Sequence, residues 1–445
     1  MTPRIPSHLA EGDYMHALAT RLWPICRSIT GNGTRETLGI LREELPGMTL
    51  HEIASGTPVL DWTVPDEWNI SEAFLEDSDG CRVVDFARNN LHVVNYSEPV
   101  NKVMSLTELQ AHLHSIPDQP TAIPYRTSYY QRGWGFCLCH EDRTRLVEGD
   151  YRVVIQSSLA PGSLTYGELL IPGESDFEVM ISTYVCHPSM ANNELSGPVV
   201  STAIARWVQA LPRRRFSYRF VFVPETIGAI TYISRELAIL RERVVAGLQL
   251  TCIGDDRAYS YLSSRNPKSW VDRVVRHVLG DLPNYVAYSY LDRGSDERQY
   301  CMPGVDLPVA SVMRSKYGVY PEYHTSLDDL EFVTPTGLQG GFDAVRDCIR
   351  ILEADEFFQA TCLAEPQLGR RGLYHAVGGA DYADRSRWIS DVLAYADGRH
   401  SVLDMAELFG VRALDLMPII DELRQHGLLS HLPLEGRPDV CLGSL

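Results

Sequence analysis

The chain has 445 residues and a formal net charge of −18, from 40 Lys plus Arg against 58 Asp plus Glu. With 44% hydrophobic and 22% charged residues it has the composition of a folded globular chain, which excludes collagen-like, coiled-coil and largely disordered architectures. So acidic a surface repels phosphate backbones and anionic bilayers on average, and no apolar stretch nears the ~20 residues of a membrane span, so neither nucleic acid nor membrane is expected as a partner.

The N-terminal segment interrupts its apolar positions with charges too often for a secretory signal, and a cytoplasmic location is expected. Met15, Leu18, Leu22 and Ile25, then Leu38, Leu41 and Leu45, recur at helical spacing around Thr30-Gly31-Asn32-Gly33, which predicts two helices joined by a turn. From about residue 60 to 165 the texture changes to short strand-like runs (CRVVDFA, LHVVNYS, YRVVIQSS) separated by Pro, Gly, Asn and Asp. The ten cysteines form no dense framework and suit reduced thiols. Cys137, Cys139 and His140 lack a second pair at finger-like spacing and read as strand residues rather than a metal site.

Residues 166–355 alternate. FEVMISTYV, YRFVFV and AGLQLT are apolar runs of the kind buried on both faces of a sheet, and helix-like segments separate them. That alternation predicts an α/β domain with a substantially parallel sheet. The expected organisation is a discontinuous α/β domain over 1–60 and 166–360, with an inserted β-rich domain over 61–165. In the last sixty residues, 387–395, 403–409 and 414–426 read as three short helices, followed by a hairpin over 427–443. This is winged-helix architecture in a domain spanning 385–445. Its third helix carries Asp415, Asp421 and Glu422 against one Arg424, which suits packing or partner docking rather than a DNA groove.

Four clusters fall where an α/β fold builds its site, at the carboxyl ends of strands. His187 ends an apolar strand and is followed by Asn192, Asn193, Glu194 and a helix-opening Ser196-Gly197; an imidazole and a carboxylate on one loop are half of a zinc site. Glu225 directly follows YRFVFV, and a carboxylate there must be solvated by a cleft, paired or near a metal. Desolvation would give it the raised pKa of a general base; the alternative is a helix cap. Gly294-Ser295-Asp296-Glu297-Arg298 and Tyr323-His324-Thr325-Ser326-Leu327-Asp328 complete the set.

In that order these motifs resemble the clan MH zinc aminopeptidases, whose frame glutaminyl cyclases share. More closely, nearly the whole chain resembles bacterial aminopeptidase-like proteins of polysaccharide and natural-product gene clusters. CHPSMANNELSGP, PETIGAI, GSDERQY and PEYHTSLDDL are the specific parts of that resemblance. It implies a zinc-aminopeptidase-like α/β/α domain with an inserted β-rich domain and a C-terminal winged helix. It also implies that His187 and His324 are metal histidines and Glu225 is the general base. The family's bridging aspartate falls on Asn193, its second-metal glutamate on Thr226 and its first-metal aspartate on Thr251. Two zinc ions ~3.5–4 Å apart need anionic ligands, so the resemblance points to one zinc per chain. Its expected ligands are His187, His324 and Glu194, with Asn193 as a weaker donor. Asp296 is expected to orient groups at the site, and Glu297, Arg298 and Tyr323 to contact substrate. The expected activity is metal-dependent hydrolysis of a terminal amide or peptide bond in a small peptide-like or aminoacyl substrate of a biosynthetic pathway. The alternatives are a non-catalytic binding or scaffold protein with an eroded metal site, and aminoacyl transfer or cyclisation. Homo-oligomerisation is compatible with all three.

Overall fold

A computed structural model of the chain describes residues 9–373 and 380–433, together with 436 and 438. An eight-stranded mixed sheet forms its centre. In chain order the strands are β1 (Thr49–Ala54), β2 (Ser163–Ile171), β3 (Glu178–Tyr184), β4 (Ser217–Val223), β5 (Val244–Leu250), β6 (Tyr259–Leu262), β7 (Tyr285–Tyr288) and β8 (Val309–Met313). They lie in the order β1-β2-β4-β3-β5-β8-β6-β7. The run β4-β3-β5-β8 is parallel, and every residue of β3, β5 and β8 is buried, as continuous apolar runs covered on both faces require.

Helices cover both faces. On one, Glu11–Leu22 packs against Ser196–Ala210 and Pro335–Ala354, burying Met15, Leu18 and Leu22 with Val199, Phe342 and Val345. On the other, Ile227–Arg243 buries Ile227, Tyr232 and Ile233 against Met180, Val221 and Val309. The two N-terminal helices, Glu11–Leu22 and Asn32–Glu44, are those the periodicity predicts, and the turn between them carries Arg27 into the interior. A substantially parallel sheet covered by helices on both faces is the α/β/α architecture expected from the alternation of apolar runs.

Between β1 and β2 the chain builds a four-stranded antiparallel sheet, in the order Arg82–Asp85, Glu67–Glu76, Asp150–Ala160, Val100–Ser105, around its own cluster of Leu75, Val84, Phe136, Tyr151 and Val153. Cys137 lies in a separate two-stranded pairing with Leu113–His114 and is buried against Leu91, Val94 and Met190, and Cys139 stands at the start of a short helix.

The C-terminal module comprises helices Ala380–Tyr395, Val402–Phe409 and Ala413–Gln425 and a three-stranded sheet. The central strand of that sheet is Phe357–Ala360, upstream of the start expected from the helices; it pairs with Asp397–Ser401 and Leu429–Leu432. Most of the expected second half of the hairpin over 427–443 lies outside the described residues. The module is clamped to the core. Arg273 bonds Asp404 at 2.6 Å and Glu407 at 2.8 Å, and the buried Asp355 accepts from both Trp270 Nε1 of the core and Leu403 N of the module, each at 2.8 Å. Among the described residues no helix is long and apolar enough to cross a membrane.

Candidate active site

Loops from the carboxyl ends of β3, β4, β5 and β8 converge, and each carries a non-glycine residue at positive φ: Ser189 (42°), Thr226 (65°), Cys252 (47°) and His324 (58°). Such backbone costs ~1–3 kcal/mol per residue and persists only where the surroundings over-determine it, which is typical of functional sites. At Thr226 the backbone (φ 65°, ψ −78°) forms a γ-turn of the rare positive-φ form, closed by Ile227 N–H donating to Glu225 O at 2.8 Å. Asp296 Oδ1 accepts the Thr226 N–H at 2.8 Å, and Arg298 donates to the Thr226 hydroxyl. The 294–298 loop therefore grips the strained turn that presents Glu225.

His187 is held from both sides. Its Nδ1 bonds Glu194 Oε2 at 2.9 Å, and its Nε2 lies 3.5 Å from Glu225 Oε2. Residues 191–195 form a single π-helical turn, a form frequent at functional sites, and it turns Glu194 inward to complete burial. Asp328 caps that turn by accepting from the backbone N–H groups of Ala191, Asn192 and Asn193. Behind Glu194 stands Arg27, also fully buried, with Nε 3.6 Å from Glu194 Oε1 and 2.9 Å from the carbonyl of His187. Burial opposes the charged form of His187, but the bond and charge of Glu194 and the charge of Glu225 outweigh it and raise its pKa. Burial raises the pKa of Glu225, against the pull of His187 and Arg298. For Asp296, burial and the Glu225 charge push the carboxyl well above the usual range.

The His324 ring centre is 5.7 Å from that of His187. Tyr323 stacks on His324 at 3.9 Å, and burial followed by the His187 charge lowers the His324 pKa to about 3, leaving a neutral imidazole. Among the described residues the His324 ring has no hydrogen-bond partner.

Several expected assignments change. Glu194 sits on the Nδ1 side of His187, opposite the nitrogen that faces the cleft, with its charge matched by Arg27; it orients the ring and is not positioned to share an ion with Nε2. Asn193 Oδ1 is occupied by the Tyr184 hydroxyl at 2.8 Å, which lies 2.5 Å from Thr251 Oγ1. Glu297 accepts from Gly294 N, Ser295 N and the Tyr317 hydroxyl, at 2.9, 3.0 and 2.8 Å, and so holds its own loop rather than facing substrate. Arg298 and Tyr323 act on Thr226 and His324.

This donor set does not fit two metal ions. Neutral Asn193, Thr226 and Thr251 replace the carboxylates, and a phenol hydroxyl bridges Asn193 and Thr251. It does fit one. Two donors on one tetrahedral zinc lie about 3.3 Å apart and two such histidine ring centres about 5 Å, from metal–ligand lengths of ~2.0–2.1 Å. His187 Nε2 and Glu225 Oε2, 3.5 Å apart, are near the first separation, and the His187 and His324 ring centres, 5.7 Å apart, are wider than the second, so His324 would have to close in on an ion held by the other two. Among the described residues, Cys186, His187 and Glu194 are the one group of three whose donor atoms all lie within 4.8 Å of one another. That group suits a cation less well, because burial holds Cys186 as a thiol and Arg27 already stands against Glu194.

A family model described as a domain of unknown function (DUF4910) matches residues 16–355, and one described as a winged helix-turn-helix matches residues 356–431. A protein of Clostridium acetobutylicum, provisionally described as a polysaccharide biosynthesis protein with an aminopeptidase-like domain, is 43% identical over 421 residues, covering 94% of this chain and 96% of its own. A crystal structure of a provisionally assigned peptidase from that organism matches at 42% identity with a TM-score of 0.89, covering 95% of this chain and 96% of the other. BSAP, a zinc aminopeptidase from Bacillus subtilis, matches with a TM-score of 0.55 at 13% identity, over 79% of this chain and 96% of its own; at that identity the likeness is one of fold.

Proposed function

The chain belongs to the DUF4910 family, carried on the zinc-aminopeptidase fold with a winged helix-turn-helix appended, and from that premise we propose that it is a hydrolase with a single catalytic zinc, cleaving a terminal amide or peptide bond of a small substrate. The observation that carries this reading is the convergence of His187, His324 and Glu225 on strained backbone, a costly arrangement that a scaffold without chemistry does not need. The description of the 43%-identical relative supports a setting in polysaccharide or related biosynthesis.

His187 Nε2, His324 and Glu225 Oε2 would hold the ion, with Glu194 orienting His187 through Nδ1. Bound there, zinc would supply Lewis acidity to the scissile carbonyl and acidify the attacking water. Glu225 has a second oxygen, Oε1, which takes the water proton and returns it to the leaving amine. Asp296 and Arg298 keep the Glu225 turn in register throughout.

Two expectations follow. The purified chain should retain at most one zinc equivalent after dialysis, measured by mass spectrometry of the metal, and His187→Ala and His324→Ala should each lose it. Two retained equivalents would overturn the single-ion site. Zinc-loaded protein should hydrolyse at least one member of a panel of aminoacyl 4-nitroanilides and short peptides. No turnover together with no retained metal would favour the scaffold reading, which the Tyr184–Asn193–Thr251 network independently supports.

Duplex DNA should not bind. The N-terminus of the Ala413–Gln425 helix, where a winged helix would read bases, is taken by the core: Ala413 N–H donates to His277 Nε2 at 2.9 Å, and Arg412 pairs with Asp347 at 3.7 Å. Fluorescence anisotropy with a labelled duplex and the full chain should show no change at physiological salt. Tight, salt-sensitive binding would contradict this.

A further inference from the structure

The inserted domain reaches the catalytic histidines through one segment, residues 119–130. Pro124 forms an antiparallel bridge with Thr325, Tyr125 N–H donates to the His324 carbonyl at 2.8 Å, and Ser326 N–H donates to the Ile123 carbonyl at 2.9 Å. Gln119 Nε2 donates to the Pro321 carbonyl at 2.8 Å. So fixed, the Tyr125 ring stands 5.1 Å from the rings of both His187 and His324. Its hydroxyl is 2.6 Å from that of Tyr129, and among the described residues neither hydroxyl has another hydrogen-bond partner. Two phenols carry two protons. One is spent between them, and the other is unspent whichever hydroxyl donates. Both rings are only half-buried, so the unspent proton is open to water or to a polar group of a bound molecule beside the histidine pair.

We propose that the Tyr125–Tyr129 phenol pair is a catalytic hydrogen-bond donor to the substrate carbonyl oxygen, so that the inserted domain completes the active site instead of only walling it. The inference rests on the hydrolase reading. No bond is made or broken at the tyrosines: the pair donates one hydrogen bond, strengthened by the phenol behind it, to an oxygen that gains negative charge as water adds.

The test uses the zinc-loaded full chain, with Tyr129→Phe, Tyr125→Phe and the double variant, on the best 4-nitroanilide of the panel. Loss of one such donor costs ~10²–10³ in kcat, and KM should stay within a few-fold of wild type. The double variant should be no worse than the worse single one, because the two hydroxyls act as a unit. Calorimetric titration with 1-amino-3-methylbutylphosphonate, a tetrahedral probe, gives a readout independent of turnover; the Phe variants should bind it at least tenfold more weakly at unchanged zinc content. If the variants match wild type in kcat and phosphonate affinity, the phenol pair is not a donor and the hydrolase reading survives. If wild type neither turns over the panel nor binds the phosphonate, the hydrolase reading fails and this inference falls with it.

Discussion

Glu225→Gln should give a folded protein that turns over its aminoacyl substrate ~10²–10⁴-fold more slowly than wild type, the usual cost of losing a general base. Glutamine keeps the size of the side chain and one oxygen donor but cannot take the water proton. Because the amide is a weaker donor than the carboxylate, zinc should also bind less tightly, so the decisive measurement is made with zinc in excess. Occupancy then returns and activity does not. Were Glu225 only an element of the turn before the Ile227–Arg243 helix, the variant would lose ~0.3–1 kcal/mol of stability and keep its rate. A fully metallated Glu225→Gln protein with wild-type rates would remove Glu225 from the mechanism.

The architecture that positions Glu225 was legible in the sequence because it rests on apolar patterning. FEVMISTYV, YRFVFV and AGLQLT are long uninterrupted runs, they became β3, β4 and β5, and the residues just past them fall into the cleft by topology alone. What patterning does not encode is which way a polar side chain turns once it is there. Glu194 and Glu297 look alike in sequence, both carboxylates in polar turns, the one after Asn193 and the other after Asp296. A π-helical turn sends the first behind His187, and two backbone N–H groups with a tyrosine hydroxyl claim the second. Arg27 and Tyr125 were harder still. They stand 160 and 62 positions before His187, in segments with no periodic signal, and only tertiary packing brings them to it. The trace they leave in sequence is a cation in an otherwise apolar turn and a tyrosine-rich loop, neither of which is specific.

Arg27→Met should be among the most destabilising single changes in the chain. The guanidinium is fully buried, it is the counter-charge of an equally buried Glu194, and it ties down the backbone of His187. Removing one member of such a pair strands the other charge in the interior and costs ~3–5 kcal/mol. Glu194→Gln should cost less on its own, and Arg27→Met combined with Glu194→Gln should recover much of the Arg27→Met loss, because the two charges then leave together. Apparent midpoints of urea unfolding for the four proteins close the cycle. Strict additivity would show that the pair is not coupled. The same cycle on zinc affinity isolates the orienting contribution, since loss of the carboxylate behind a metal-binding histidine typically weakens binding ~10–100-fold.

The packing of the Glu11–Leu22 helix on the Pro335–Ala354 helix sets a timetable for synthesis. The Glu11–Leu22 helix leaves the ribosome long before the partner its apolar face is built for, and the N–H of Gly12 is matched to the side chain of Gln339. At ~5–20 residues per second, roughly 16–65 s separate the two, during which Met15, Leu18 and Leu22 have no native cover from that partner. The inserted sheet, by contrast, draws on residues 67–160 alone and can close long before. A nascent chain stalled near residue 300 should therefore carry a folded insertion on an unfinished core, a natural client for a chaperone that binds exposed apolar helices.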